Sequence, residues 1–285
     1  MSTCEQVNSH PPLINNYAQV YPARYLSCLC LLVALSTFAC ATAQPHADAD
    51  TLEDSTQLSP YLWHIEGENA STYLYGTIHA GVGFDELDRE IIQAIDNAAH
   101  LVVETDIRQI NPLQFMALAT YPPGESLSDH FNPDDWEALV AAFSPSIPGS
   151  LLERYRPWFL QMVILQTLIS DTEPMDLEML YYCEERGYPV SYLESPSEQL
   201  EMLAATPDEL SIQMASEWLN NPNQLAEEFN GLINSYRNGI INETAALILD
   251  QDEMSQYADW YNLLLYERNQ AWIPAIENCI HSGGC

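Results

Sequence analysis

The chain contains no lysine. All eight of its basic residues are arginine, set against 41 acidic residues, for a formal net charge of −33 over 285 residues. Nucleic-acid binding needs a positive footprint that neutralises phosphates, and this sequence has none. An anionic membrane surface would repel it by the same argument. The acids are scattered rather than run together, so the charge reads as solubility in a salty medium, where screening softens self-repulsion. Because ordinary carboxylates titrate near pH 4, a small drop below neutral pH is expected to change little.

Other features are missing too. No internal repeat is present, and no Cys-x-x-Cys or Cys/His spacing of a structural zinc site. The longest apolar stretch, residues 26–39 after Arg24, is short for a membrane span but has the length of a signal-peptide core. It leads to Ala41-Thr42-Ala43 before Gln44, a small-x-small cleavage site. Residues 1–43 therefore read as an export signal with a long polar prefix, residues 44–59 as an acidic linker, and residues 60–285 as one domain. The expected location is periplasmic or extracellular. Export would leave Cys183, Cys279 and Cys285 in an oxidising compartment, where Cys279 and Cys285 can close a small loop and leave Cys183 buried and free.

What is present is a hydrophobic content of 47%, enough for a sizeable core. "YLWHIEG" (61–67) and "STYLYGTIH" (71–79) read as a hairpin, "LDREIIQAIDNAA" (87–99) as an amphipathic helix, and "HLVVETDI" (100–107) as a short strand. Beyond Pro112 the pattern turns helical. Helices are expected over 132–143, with Asn132 as cap, over 156–169, and over 174–187, closed by Gly187. "YPVSYLES" (188–195) returns to a strand. Further helices follow over 195–205 and 206–219, each with a capping Ser or Thr, then over 221–239 and from 254 to about 279, where Pro274 should kink or end the last. The fold class is α/β: a small central β-sheet with a large helical insertion and a C-terminal helix.

The chemistry-bearing residues stand at strand ends. His79 follows the apolar run Tyr73-Leu74-Tyr75 and the turn at Gly76, and Glu104 closes "LVVE". On neighbouring strands, an imidazole and a carboxylate there can bind a divalent metal or act as a general acid/base pair; a bond that merely fixes a loop accounts for them equally well. Glu194 repeats the strand-end pattern, with helix capping as its plainer explanation. Arg268-Asn269, in "YERNQAW", places one basic residue in an acid-rich helix, as a carboxylate clamp or as a surface ion pair.

In order, "LWHIEG…TYLYGTIHAG", "LDREIIQAIDNAAHLVVETDI", "RPWFLQM", "MDLEMLYYCEERGYPVSYLESPSEQLEML" and "YERNQAWIPAI" resemble the TraB/GumN family, which also contains the TIKI-type metal-dependent proteases. The resemblance spans residues 61 to 280. It implies an α/β fold and, for TIKI-like members, metal-dependent peptide hydrolysis. It assigns the G-x-x-H histidine to His79, the strand-end glutamate to Glu104, the "LE" acid to Glu194 and the "RN" pair to Arg268 and Asn269. His79 and Glu104 would be ligands of a divalent metal (Mn, Co or Zn), and the partner would be a peptide or small-molecule substrate. The family also carries a second G-x-x-H beyond the "RN…W" helix. Here "IHSGGC" follows, His281 is in no such motif, and the expectation is a chain that stops short of that strand, with an incomplete site. The alternative is a non-catalytic exported domain that binds a peptide or small ligand.

Overall fold

The computed structural model describes residues 55–67, 71–168, 173–282 and 284–285. The expected export signal (1–43), its cleavage site and the linker up to residue 54 lie outside the described residues. Ser55–Ser59, the end of that expected linker, forms a strand, β1. It pairs antiparallel with β2 (Leu62–Glu66), which pairs antiparallel with β3 (Ser71–Tyr75) in the register Leu62 to Tyr75 and Glu66 to Ser71. A second sheet pairs β4 (Leu101–Val103) in parallel with β5 (Val190–Tyr192). The expected small sheet is thus present in two pieces, and β3 and β4 are not hydrogen-bonded neighbours.

Most of the chain is helical. Arg89–Asn97 links the two sheets. Five helices fill the connection from β4 to β5: Pro112–Ala119, Pro133–Phe143, Gly149–Leu152, Pro157–Leu168 and Met175–Arg186. Parallel strands need such a crossover, since a tight hairpin can only reverse the chain. After β5 come Pro196–Ala204, Asp208–Asn220, Pro222–Arg237 and Ile241–Ile248. Local chemistry explains the boundaries. Asn111 and Asn132 accept backbone N–H bonds at helix starts, each followed by a proline that has no N–H to lose. Ser195 and Glu198 form a reciprocal capping box. Gly187 stops Met175–Arg186 at φ 71°, in the left-handed region.

Two expectations fail. Thr206 does not cap the next helix; its hydroxyl donates backward to the Leu203 carbonyl, because Pro207 occupies the cap position. The last helix is also not one piece. Gln251–Gln256 and Ala258–Tyr261 precede a π-helical segment, Asn262–Glu267, and only then does Arg268–Ser282 begin. That helix continues through Pro274, held on either side by Trp272 and Cys279, each 3% exposed. As expected, Cys279 and Cys285 form a disulfide and Cys183 is a buried thiol.

The main core packs the helices Pro157–Leu168, Asp208–Asn220 and Pro222–Arg237 around Trp158, Leu160, Met214, Phe229 and Leu232, and it reaches the segment after β3 through Ile78, Ala80 and Val82. A smaller core of Leu62, Ile91, Ala94 and Met179 sits between the meander and its flanking helices. The β1–β2 turn is pinned to the helical layer. Tyr61, at φ 61°, stacks on Tyr236 at 4.4 Å and shares a 2.8 Å hydrogen bond with Thr244. Gly239, at φ 66°, lies under Pro60 of that turn, and a methyl group there would come within 2.7 Å of the proline Cβ. Gly239→Ala combines backbone strain with a clash and is expected to cost about 1–3 kcal/mol. A urea unfolding midpoint that does not move would refute the close packing.

Candidate functional site

The segment after β3 is anchored at Gly76, whose N–H donates to the Tyr61 carbonyl and whose own carbonyl accepts the Tyr236 hydroxyl at 2.6 Å. Ile78 and Ala80 then point into the core and are almost fully buried. His79, between them, faces the other way. Its Nδ1 lies 2.7 Å from Asp176 Oδ1, and both side chains are 22% exposed. Asp176 stands in the first turn of Met175–Arg186, where the unpaired amides of a helix start favour a carboxylate. Burial alone would depress the histidine pKa. The charge and hydrogen bond of Asp176 outweigh burial, and the net shift is upward.

Glu104 follows β4 and Glu194 follows β5, and the parallel pairing continues into them: the Glu194 N–H donates to the Glu104 carbonyl at 2.9 Å. Arg268, at the start of the last helix, reaches both side chains. Nη2 donates to Glu104 Oε2 at 2.6 Å and also to Glu194 Oε1, while Nε donates to Glu194 Oε2 at 2.9 Å. The guanidinium lies 4.4 Å from the Trp272 ring centre. The arginine side chain is 5% exposed and its partners 12% and 10%, so this is a buried triad and not a surface pair. The helix-capping explanation of Glu194 gives way as well, because Ser195 makes the cap. Burial pushes Glu104 up to about 7, with help from Glu194 and Asp176 and against the pull of Arg268 and His79. Its Oε1 is buried without a hydrogen-bond partner.

His79 and Glu104 follow strands of different sheets, near enough for the charge of each to shift the titration of the other. Asn269, next to Arg268, is half-buried on the same helix. Asp176 was missed by the sequence reading, which looked for acids at strand ends; the usable signal was an acid in the first helical turn of "PMDLEML". Glu104 and Asp176 line a cavity of about 170 Å³ between β3 and β4, whose walls are otherwise largely apolar: Leu74, Ile95, Val102, Met179 and Ile276 among them. The donor types fit a divalent ion in part. A metal-binding histidine usually turns its second ring nitrogen to a carboxylate, as His79 does to Asp176, and the orphaned Glu104 oxygen is an acceptor in need of a cation or proton. Among the described residues, however, the group of three donors gathered within ligand distance lies elsewhere, at His100, Cys279 and Cys285.

Among the described residues no helix is long and apolar enough to cross a membrane. Comparison with curated proteins and with solved structures finds no match. The sequence model of the TraB/PrgY/gumN family matches residues 61–285, the whole of the two sheets from β2 onward and their helices, and the chain belongs to that family.

Proposed function

We propose that the protein is an exported hydrolase of the peptide-cleaving, divalent-metal type (manganese, cobalt or zinc), for which His79 and Glu104 supply part of the ligand set. The observation that carries this reading is that the His79–Asp176 pair and the buried Glu104–Arg268–Glu194 triad each send a carboxylate, Asp176 and Glu104, to the wall of one largely apolar cavity. A metal bound there would polarise the scissile carbonyl and acidify water. The chain's own residues do the rest. Asp176 holds the His79 ring by Nδ1, which assigns the donor lone pair to Nε2. Arg268 fixes Glu194 and one oxygen of Glu104, so the other oxygen, Oε1, is held in place. Oε1, which Arg268 does not engage, is therefore the oxygen that would face the metal, while Oε2 stays with the arginine. The apolar walls of the cavity suit the side chains of an extended peptide.

A second reading is a non-catalytic domain that binds a peptide or small ligand in the same cavity. It is favoured by the commitment of Glu104 to Arg268, which spends one of the two ligand-capable oxygens. The readings separate on a peptide library incubated with manganese, cobalt or zinc. The hydrolase reading expects cleavage that falls at least a hundredfold in His79→Ala and in Glu104→Gln, with the folded state retained by circular dichroism. Cleavage that survives His79→Ala would sink it, and metal-independent binding without turnover would leave the second reading.

A further inference from the structure

The three-donor cluster lies outside the triad. His100 immediately precedes β4, Cys279 is on the last helix, and Cys285 lies beyond it. Their ligand atoms all fall within 4.8 Å of one another, and His100 Nε2 is 3.8 Å from Cys279 Sγ. In tetrahedral zinc coordination, bond lengths of about 2.0–2.3 Å separate neighbouring donors by roughly 3.5–3.8 Å. The His100–Cys279 separation has that size, while the two sulfurs are bonded to each other and would have to part to take a metal. The backbone of the cluster is also held by bonds other than the disulfide. The Gly284 N–H donates to the Cys279 carbonyl at 2.9 Å, and the Cys285 carbonyl accepts from the Tyr73 N–H of β3 at 2.7 Å. The two cysteine Cα atoms are 5.5 Å apart. Opening the disulfide would therefore leave both sulfurs docked beside His100.

We propose that the reduced chain binds zinc, or a similarly thiophilic divalent cation, through Cys279, Cys285 and His100, and that the Cys279–Cys285 disulfide excludes the metal. The exchange balances. A dithiol reductant supplies two electrons and two protons to the disulfide and becomes a disulfide itself. The cation then displaces the two thiol protons, which leave to solvent, and takes the lone pair of the neutral imidazole. Oxidation of the two thiolates by a disulfide oxidant returns the bond and releases the cation. Spacing along the sequence hides this site, because five residues separate Cys279 from Cys285 and His100 arrives only through the tertiary fold. Three protein donors leave a fourth position for water. The buried thiol Cys183 lines the same cavity as the cluster and serves as the internal comparison.

The test uses the full chain, reduced with a phosphine and kept anaerobic, titrated first with cobalt and then with zinc. The expected result is a thiolate-to-cobalt absorption band that saturates at one ion per chain, bleaches with zinc, and is absent from the oxidised chain. Cys285→Ser and His100→Ala should weaken cobalt binding at least tenfold. Cys183→Ser and His79→Ala should leave the band in place, which separates this site from the one at His79. Zinc should also slow alkylation of Cys279 and Cys285 in the reduced wild-type chain, a measurement that needs no variant to fold. No thiolate band in the reduced chain, or one lost with Cys183→Ser and kept in Cys285→Ser, would overturn the proposal.

Discussion

Arg268→Met will lower the stability of the fold by about 3–5 kcal/mol at pH 8, the cost of leaving buried carboxylates without their cation. For a domain of this size the thermal midpoint should fall by roughly 6–20 °C. Methionine keeps most of the arginine's length, so the loss reports charge more than volume. Glu104 and Glu194 lie in the same low-dielectric site, and each already feels little water. Removal of Arg268 takes away the Nη2 bonds to both and the Nε bond to Glu194. The deficit should shrink as pH falls, because the two orphaned carboxylates can take up protons. Adding Glu104→Gln and Glu194→Gln to the Met variant should recover part of the loss. Urea unfolding at pH 8 and at pH 5 measures all of this. A loss under about 1 kcal/mol at pH 8 would place the triad among ordinary surface pairs.

The second large effect belongs to Glu253, which is no part of the triad and is 3% exposed. Its Oε1 accepts the Tyr261 hydroxyl, and its Oε2 is buried without a hydrogen-bond partner. Burial pushes its pKa up to about 8, opposed by the tyrosine and aided by the charges of Asp250 and Glu217. The folded state thus keeps a proton that the unfolded chain loses near pH 4.5. Stability should fall as pH rises between those values, by up to about 1.4 kcal/mol per pH unit. Glu253→Gln removes the titration. Its stability advantage over the wild type should grow from near zero at pH 5 to about 4 kcal/mol at pH 8. Urea midpoints at successive pH values read the gap directly, and a gap that stays constant would mean that Glu253 is solvated. Burial of Glu253 and Glu104, which pushes both carboxyls up toward neutral pH, runs against the expectation that a small drop below neutral pH changes little.

The sequence was legible where one local rule acted alone. Apolar spacing found the helix around Ile91 and Ile95, the proline after Asn132 marked a helix start, and Gly187 marked an end. It was illegible where two rules competed. Thr206 has the chemistry of a cap but is followed by a proline that takes the place. The π-helical segment before Arg268 has no sequence signal of its own, since its residues are ordinary helix formers. In the candidate site, strand-end logic pointed to His79, Glu104 and Glu194, and it could not point to Asp176, which reaches the histidine from a helix start. Nor could it tell that Arg268 is buried, because the depth of a helix residue depends on which sheet it packs against. The separation of the two sheets was equally hidden: β3 and β4 both read as strands, and pairing is decided across the chain.

The parallel pair β4–β5 has a consequence for how the protein reaches its native state. Its two three-residue strands are the first and last parts of a crossover made of five helices. Little backbone bonding rewards the closure of so long a loop, so the entropy must first be recovered by collapse of the intervening helices. The strands that lead into Glu104 and Glu194 are thus expected to join late, and Arg268 can clamp the two carboxylates only once they have. In that order of assembly the clamp would be a last step, a seal on a domain already built around Trp158 and Met214.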